Sequence, residues 1–293
     1  MENVLVIGGN RYFGRGLVTL LRDSGVRVTV LNRGSVAPPP GVAHLVADRE
    51  DGAAMAAALA GRSFDVVVDQ VCYTPQHAEG AVRAFAGRVG RYVMTSTIEV
   101  YDTGERRPVG VPLAEHVVDP QHWPVPEPAP QKGELSYGEG KRQAEAVLTR
   151  SGAFPFVSVR AGHVLGVDDF TGRLASYRER IAAGLPVAVH PENLPSSYTH
   201  DAEMADVLCW AAGADFTGPV NACSHGELTA TDLCDLLADG RPYRTAVPVS
   251  GEEASPFSFD RYYGMDNSRA EQLGYTFSHT RDWLPGLLLP SHG

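Results

Sequence analysis

Asn3-Val-Leu-Val-Ile-Gly-Gly-Asn-Arg-Tyr-Phe-Gly14 is a continuous apolar run that breaks into a glycine-rich turn. A run of that kind, without polar alternation, marks a strand buried on both faces. Behind it, Phe13, Leu17, Leu20 and Leu21 recur at helical spacing over 12–24, and Ser24-Gly25 stops the helix. The same alternation continues outward, with strands at 26–31, 64–71, 91–96 and 156–160 and helices at 51–60, 76–86 and 136–150. Apolar strands alternating with helices over short connections predict an α/β fold, a Rossmann-type doubly wound parallel sheet with helices on both faces. Residues 1–165 form that domain. Residues 166–293, with helices near 173–183, 202–212, 229–237 and 281–289, form a smaller mixed α/β substrate-binding region, part of which returns to the sheet. Residues 101–133 interrupt the rhythm with prolines at 108, 112, 120, 124, 126, 128 and 130. An irregular stretch of that length is either a functional excursion over a site or a surface insertion.

Composition narrows the class. The chain has 293 residues, 43% of them apolar, enough to bury a core without disulfides or metals. Its net charge of −10 argues against broad electrostatic binding to nucleic acid or an anionic membrane. No apolar run approaches the ~18 residues needed to cross a bilayer. Met1 to Ile7 lacks the basic start and cleavage site of a signal peptide, and Cys72, Cys209, Cys223 and Cys234 form no C-x-x-C pair. The expectation is a soluble, reduced, cytoplasmic protein. The ten histidines show no metal-ligand spacing, so no metal is expected.

The glycine turn lies between the first strand and first helix, where a dinucleotide pyrophosphate meets a helix N-terminus. Gly8, Asn10, Arg11, Tyr12, Phe13 and Gly14 are the candidate cofactor residues there. The second strand ends Leu31-Asn32-Arg33-Gly34, without the acid that binds the ribose 2′-hydroxyl of NAD. Arg33, with Arg11 in the turn, favours the 2′-phosphate of NADP. The alternative is a solvated Arg33, with Asn32 serving the ribose of NAD. Asp48 can accept from the adenine amine or simply begin a loop, and Arg49 beside it joins the cofactor set.

Tyr137-Gly-Glu-Gly-Lys141 puts a phenol and an ammonium four residues apart, on one face of a helix. Tyrosine is a poor base at its ordinary pKa of about 10, and a nearby cation favours the phenolate. Lys141 is one of only two lysines, with Lys132, so the pairing stands out against a low background.

The glycine turn, Thr97 at the end of the fourth long strand and Tyr137-x-x-x-Lys141 together resemble the extended short-chain dehydrogenase/reductase superfamily. More narrowly, the chain resembles the NAD-dependent epimerase/dehydratase family. The resemblance covers nearly the whole chain, including Asp266-Asn-Ser-Arg-Ala270 and Leu273-Gly-Tyr275. It implies a triad of Thr97, Tyr137 and Lys141. Tyr137 would be the acid/base at a hydroxyl, Lys141 would hold the nicotinamide ribose and lower the phenol pKa, and Thr97 would bond the substrate oxygen. Thr97-Ile-Glu-Val-Tyr101 is similar to nucleotide-sugar 4,6-dehydratases and some decarboxylases, which implies acid/base work for Glu99; the competing view is a structural carboxylate. Three departures mark a divergent branch: Arg11 replaces the middle glycine of the turn, His163, counted among both the cofactor and the substrate residues, replaces an asparagine that approaches the substrate phosphate, and Pro256-Phe-Ser-Phe259 replaces an arginine motif, leaving Arg261. His200 aligns with a segment near the substrate pocket. The resemblance implies a nucleotide-linked sugar substrate, transient hydride transfer with tightly held NADP or NAD, and a homodimer through the Tyr137 helix and its neighbour. The alternatives are an NADPH-dependent keto-sugar reductase and a non-catalytic NADP- or RNA-binding relative.

Overall fold

A computed structural model describes residues 1–130, 133–249 and 252–288. Lys132 of the proline-rich stretch and residue 289 of the last expected helix lie outside them. The first half runs β1 (Asn3–Ile7), α1 (Phe13–Asp23), β2 (Arg27–Asn32), β3 (Ala43–Val46), α2 (Gly52–Ala58), β4 (Phe64–Asp69), α3 (Pro75–Phe85), β5 (Val89–Thr97), α4 (Tyr137–Ser151) and β6 (Phe156–Ala161). It continues with β7 (His163–Leu165), α5 (Arg173–Ala182), β8 (Val187–Ala188), β9 (Tyr198–His200) and α6 (Asp201–Gly213). The chain then adds β10 (Gly218–Ala222), α7 (Ala230–Ala238), β11 (Thr245–Ala246), α8 (Ser268–Gln272) and α9 (Thr280–Leu288).

Seven parallel strands make the central sheet in the order β10-β6-β5-β4-β1-β2-β3. Successive residues of a strand point to opposite faces, so an all-apolar strand feeds two cores at once. Val4 and Val6 of β1 join Leu17 and Leu21 of α1 and Met204 and Leu208 of α6 on one face. Leu5 and Ile7 join Phe85 of α3 and Leu148 of α4 on the other. Strand order reverses between β1 and β4, and at such a switch point the carboxyl ends of the strands leave a crevice.

The division at residue 165 is crossed by the chain. Helix α6 packs on α1, β10 extends the sheet beside β6, and Ala270 of α8 joins the same core. Its buried residues Met204, Ala205, Val207, Leu208, Ala211 and Ala212 explain why α6 covers the sheet, something its periodicity alone does not reveal. The rest of the C-terminal half has its own core, in which Leu165, Tyr177, Tyr198, Leu228, Leu233 and Leu284 meet. Edge strand β3 was not among the expected elements; only two of its four residues are even half-buried, so it carries little hydrophobic signal.

The proline-rich stretch is tied down over its described length. Tyr101, Leu113 and Val118 pack with Ile98, Val100, Cys223, Tyr263 and Met265. The wholly buried Arg160 pairs with Glu145 at 2.6 Å and donates to Glu115 O at 2.9 Å and Val118 O at 2.8 Å. Ser96 Oγ donates to the same carboxylate at 2.5 Å. Removing one partner of such a pair strands a buried charge, at a cost of about 3–5 kcal/mol. Further along, Trp123 Nε1 donates to Glu139 Oε1 at 3.1 Å, and the Arg142 guanidinium lies 4.9 Å from the Trp123 ring.

Candidate active site

The crevice at the switch point opens into a cleft of about 860 Å³, within the range of small-molecule and cofactor sites. Its first wall is the glycine turn. Gly8 and Gly9 have φ of 91° and 80°, and a Cβ on Gly9 would stand 2.7 Å from Val6 Cγ1. Gly14 lies behind that wall rather than on it: a Cβ there would run into Gln70 Oε1 and come within 2.8 Å of Gly9 Cα. Helix α1 therefore begins tight against the turn, and no side chain caps its N-terminus. Asn10, Arg11, Tyr12 and Phe13 line the cleft. Asn10 Nδ2 donates to Val36 O, while Asn10 Oδ1 is buried without a partner.

The ends of β2 and β3 form the next wall. Asn32 Oδ1 accepts from Gly34 N at 2.7 Å and faces His44 Nε2 at 3.0 Å, leaving Asn32 Nδ2 buried and unpartnered. Arg33 is exposed at the cleft edge. Asp48 is exposed and caps its own loop, accepting from Glu50 N at 3.0 Å. Arg49 also lines the cleft, yet its fork is taken: NH1 pairs with buried Asp69 at 2.8 Å and NH2 donates to His77 O at 3.2 Å. The glycine cradle and the orphaned polar atoms of Asn10, Asn32, Gln70 and Thr95 suit a ligand rich in ribose and phosphate groups.

Thr97, Tyr137 and Lys141 meet at the centre of the cleft. Ser136 Oγ caps α4 by accepting from Glu139 N at 3.3 Å, which starts the helix at Tyr137. The close approach of α4 to the sheet needs glycines, since a Cβ on Gly138 or Gly140 would meet Glu99 O or Tyr73 O within 2.5 Å. Lys141 is 1% exposed; its Nζ donates to Thr95 O at 2.7 Å and lies 4.6 Å from the Tyr73 ring and 5.8 Å from the Tyr137 ring. Burial pulls its ammonium down to about 8, against the pull of Cys72 and Asp69. Tyr137 is 51% exposed in the cleft, and the burial of the rest raises its phenol. Tyr73 raises it further. The Thr97 hydroxyl, by hydrogen bonding, and the Arg173 guanidinium draw it down.

Thr97 ends β5, and its Oγ1 accepts from Glu99 N at 3.2 Å, turning the chain into a short 3-10 helix over Ile98–Tyr101. Glu99 is thereby aimed along the cleft instead of continuing the strand. Burial raises its carboxyl, and Asp102 adds to the effect; Tyr263 OH, 3.5 Å from Oε2, opposes it. On α4, Arg142 NH1 donates to Val100 O and Asp102 O, both at 2.9 Å, pinning this turn to the Tyr137 helix.

His163 lines the far end of the cleft, stacked on Phe259 at 5.0 Å and edge-on to Phe257 at 5.5 Å. Burial, helped by Arg173, pulls its imidazole down to about 3 and keeps it neutral. Arg261 is not a cleft-lining residue. It pairs with Asp102, itself on the wall, and with Asp260 at 3.1 Å. His200 also lies off the cleft, stacked on Trp283 at 5.1 Å with Nε2 3.3 Å from Asp201.

Sequence reading missed Gln70, Tyr73, Asp102, Phe170 and Arg173, all on the cleft wall. Gln70 and Tyr73 follow β4 as Arg11 and Tyr12 follow β1, and position after a strand end was the available signal. Arg173 starts α5, and no local pattern marked it. Among the described residues, no group of three or more His, Cys, Asp or Glu side chains could hold a metal, and no helix is long and apolar enough to cross a membrane.

A family model described as the NAD dependent epimerase/dehydratase family matches residues 4–221. The 2′-dehydrokanamycin reductase of Streptomyces kanamyceticus is 31% identical over 289 residues, 92% of this chain and 76% of that protein. The chloroplast stem-loop binding protein of 41 kDa b of Arabidopsis thaliana is 25% identical over 271 residues, 87% of this chain, and the chain spans 60% of that protein's length. The UDP-glucose 4-epimerase of Thermus thermophilus, solved with NAD, shares the fold with a TM-score of 0.69 at 20% identity, covering 94% of each chain.

Proposed function

The chain belongs to the NAD dependent epimerase/dehydratase family, and we propose that it acts on a nucleotide-linked sugar, with Tyr137 as acid/base at the reacting hydroxyl. The observation that carries this reading is the convergence of Thr97, Tyr137 and Lys141 on one cleft, with Glu99 beside them. Gly8, Gly9, Asn10, Asn32 and Arg33 would hold NADP, in preference to NAD, since no acid stands at the end of β2 and two arginines do stand near the turn. That dinucleotide supplies the capacity to accept a hydride from the sugar and to return it.

The remaining work falls to the chain's own groups. The Thr97 hydroxyl orients the substrate oxygen and bonds the Tyr137 phenol, which exchanges the hydroxyl proton. An ammonium has three protons to offer; Lys141 spends one on Thr95 O and has others for the ribose hydroxyls. A carboxylate raised by burial is a stronger base than an exposed one, so Glu99 moves a proton at the neighbouring carbon. Residues 1–165 carry the dinucleotide and the later segments close the substrate end. In the homodimer implied by the resemblance, residues 123–130 stand at the α3 and α4 face, where Trp123 meets Arg142 and Gln76 Nε2 donates to Ala129 O at 3.1 Å.

A second reading, a net reductase that exchanges NADPH, is favoured by the reductase relative and by Arg11 and Arg33. A thermal-shift screen of nucleotide sugars with NAD or NADP, followed by product analysis, separates the two. Stoichiometric retention of dinucleotide with an isomerised or dehydrated product supports the first reading; steady NADPH consumption on a ketone supports the second. RNA retained by the Tyr137→Phe protein would instead favour a binding role of the kind in the Arabidopsis relative's name, which the net charge of −10 weighs against.

A further inference from the structure

Between β7 and α5 the chain crosses the mouth of the cleft and meets the glycine turn. We propose that residues 167–172 are a strap that closes over the dinucleotide and sets its rate of exchange, fastened by Tyr12, Asp169 and Phe170. This rests on the reading that the cleft holds NAD or NADP.

Phe170 is 68% exposed, an aromatic ring held in solvent at the cleft edge. It is not loose. Its ring meets Tyr12 edge-on at 6.3 Å, and the Arg11 guanidinium lies 6.0 Å from its centre. Thus the strap already touches Arg11, which stands where the motif has its middle glycine, and Tyr12 beside it. Tyr12 has φ of 54°, a conformation that favours glycine, so the turn tolerates strain to place a tyrosine there.

The unmade contact is more telling. Tyr12 OH and Asp169 Oδ2 are both buried without a partner, one a donor and the other an acceptor. They are close enough that Asp169 is the leading charge acting to raise the Tyr12 phenol, after burial itself. Buried polar groups are rarely left unpaired, and an inward movement of the strap satisfies both together. The strap can move as a unit. Asp169 Oδ1 accepts from Thr171 N at 2.9 Å and Thr171 Oγ1 at 2.5 Å, while Arg173 Nε of α5 donates to Thr171 Oγ1 at 2.9 Å across the hinge, a bond that closure would have to turn about. Its ends differ: Gly166 is wedged against Asp201, whereas Gly172 has φ of 67° and open space around it. Gly172 is the pivot. Closure would press Phe170 over the turn and retain the dinucleotide through successive cycles.

The test is release of NADPH from the full chain, followed by its fluorescence after mixing with excess NADP. Phe170→Ala should speed release about tenfold. Tyr12→Phe and Asp169→Ala should each speed it about threefold, and Tyr12→Phe should add nothing in the Asp169→Ala background. Thermal melting of the free variants reports whether each is folded. Stoichiometric binding with release unchanged in folded Phe170→Ala and Asp169→Ala overturns the strap and leaves the cofactor reading standing. Failure of the unmodified chain to bind either NADPH or NADH overturns both.

Discussion

The two ends of the cleft are built from different materials. At the dinucleotide end the walls are largely backbone: Gly8 and Gly9 at positive φ, the uncapped start of α1, and strand ends trimmed to small or amide side chains. At the substrate end they are side chains from distant segments, with Glu99 and Asp102 after β5, His163 after β6, and Arg173 from the start of α5. A backbone wall can serve any molecule with the same phosphates. A side-chain wall can be replaced residue by residue while the fold stays intact. The resemblance, which keeps Thr97, Tyr137 and Lys141 but departs at His163 and at residues 256–259, fits that difference.

The largest expected effect lies at the substrate end. Glu99→Gln keeps size and hydrogen bonding but removes the base, so turnover of an epimerised or dehydrated substrate should fall by about 10²–10⁴-fold. Incorporation of solvent deuterium at the substrate carbon should fall with it, while dinucleotide affinity stays unchanged. Turnover at the unmodified rate would make Glu99 structural and leave a simple 4-epimerase or reductase as the better account.

At the backbone end, Gly9→Val combines a positive φ with a clash against Val6, and dinucleotide affinity should weaken by about 10²-fold. Calorimetric titration checks this, and an unchanged affinity would place the dinucleotide elsewhere. Arg33→Asp should be milder, shifting preference from NADP toward NAD by about tenfold through loss of a phosphate partner and added repulsion. Equal affinities in the unmodified chain, unaltered by the substitution, would remove Arg33 from the cofactor site.

A separate effect, on folding instead of binding or turnover, concerns stability. Burial holds the His163 imidazole near 3, whereas an unfolded histidine titrates near 6.5. Between those values the unfolded chain binds the extra proton, so stability falls as pH falls from about 6.5 toward 3. His163→Leu should lose less stability than the unmodified chain across that window, measured as urea midpoints at pH 7 and pH 4.5. An identical pH dependence would mean that the imidazole is not held neutral.

The same contrast governs what could be read from the sequence. The dinucleotide end lies in contiguous motifs, because a tight turn writes its demands as glycines at fixed offsets; Gly8, Asn10 through Phe13, Asn32 and Arg33 were named this way and lie on the cleft, while Gly14 stands behind it. Tyr137 and Lys141 were legible because helix geometry converts a four-residue spacing into one face. The substrate end gave no such signal. His200 and Arg261 were chosen from alignment with a family pattern, and they lie behind the cleft wall because Trp283, Asp102 and Asp260 engage them first. Arg173 reaches the site from a helix whose placement depends on the tertiary fold.

Tyr137→Phe tests the central claim most directly, because Tyr137 stands where the two ends meet. The measurement is dinucleotide affinity and single-turnover rate on the same preparation, using a substrate found in the nucleotide-sugar screen. The account predicts affinity within about twofold of the unmodified chain and a rate reduced by about 10³-fold. A rate equal to that of the unmodified chain, with the phenol oxygen gone, would contradict it.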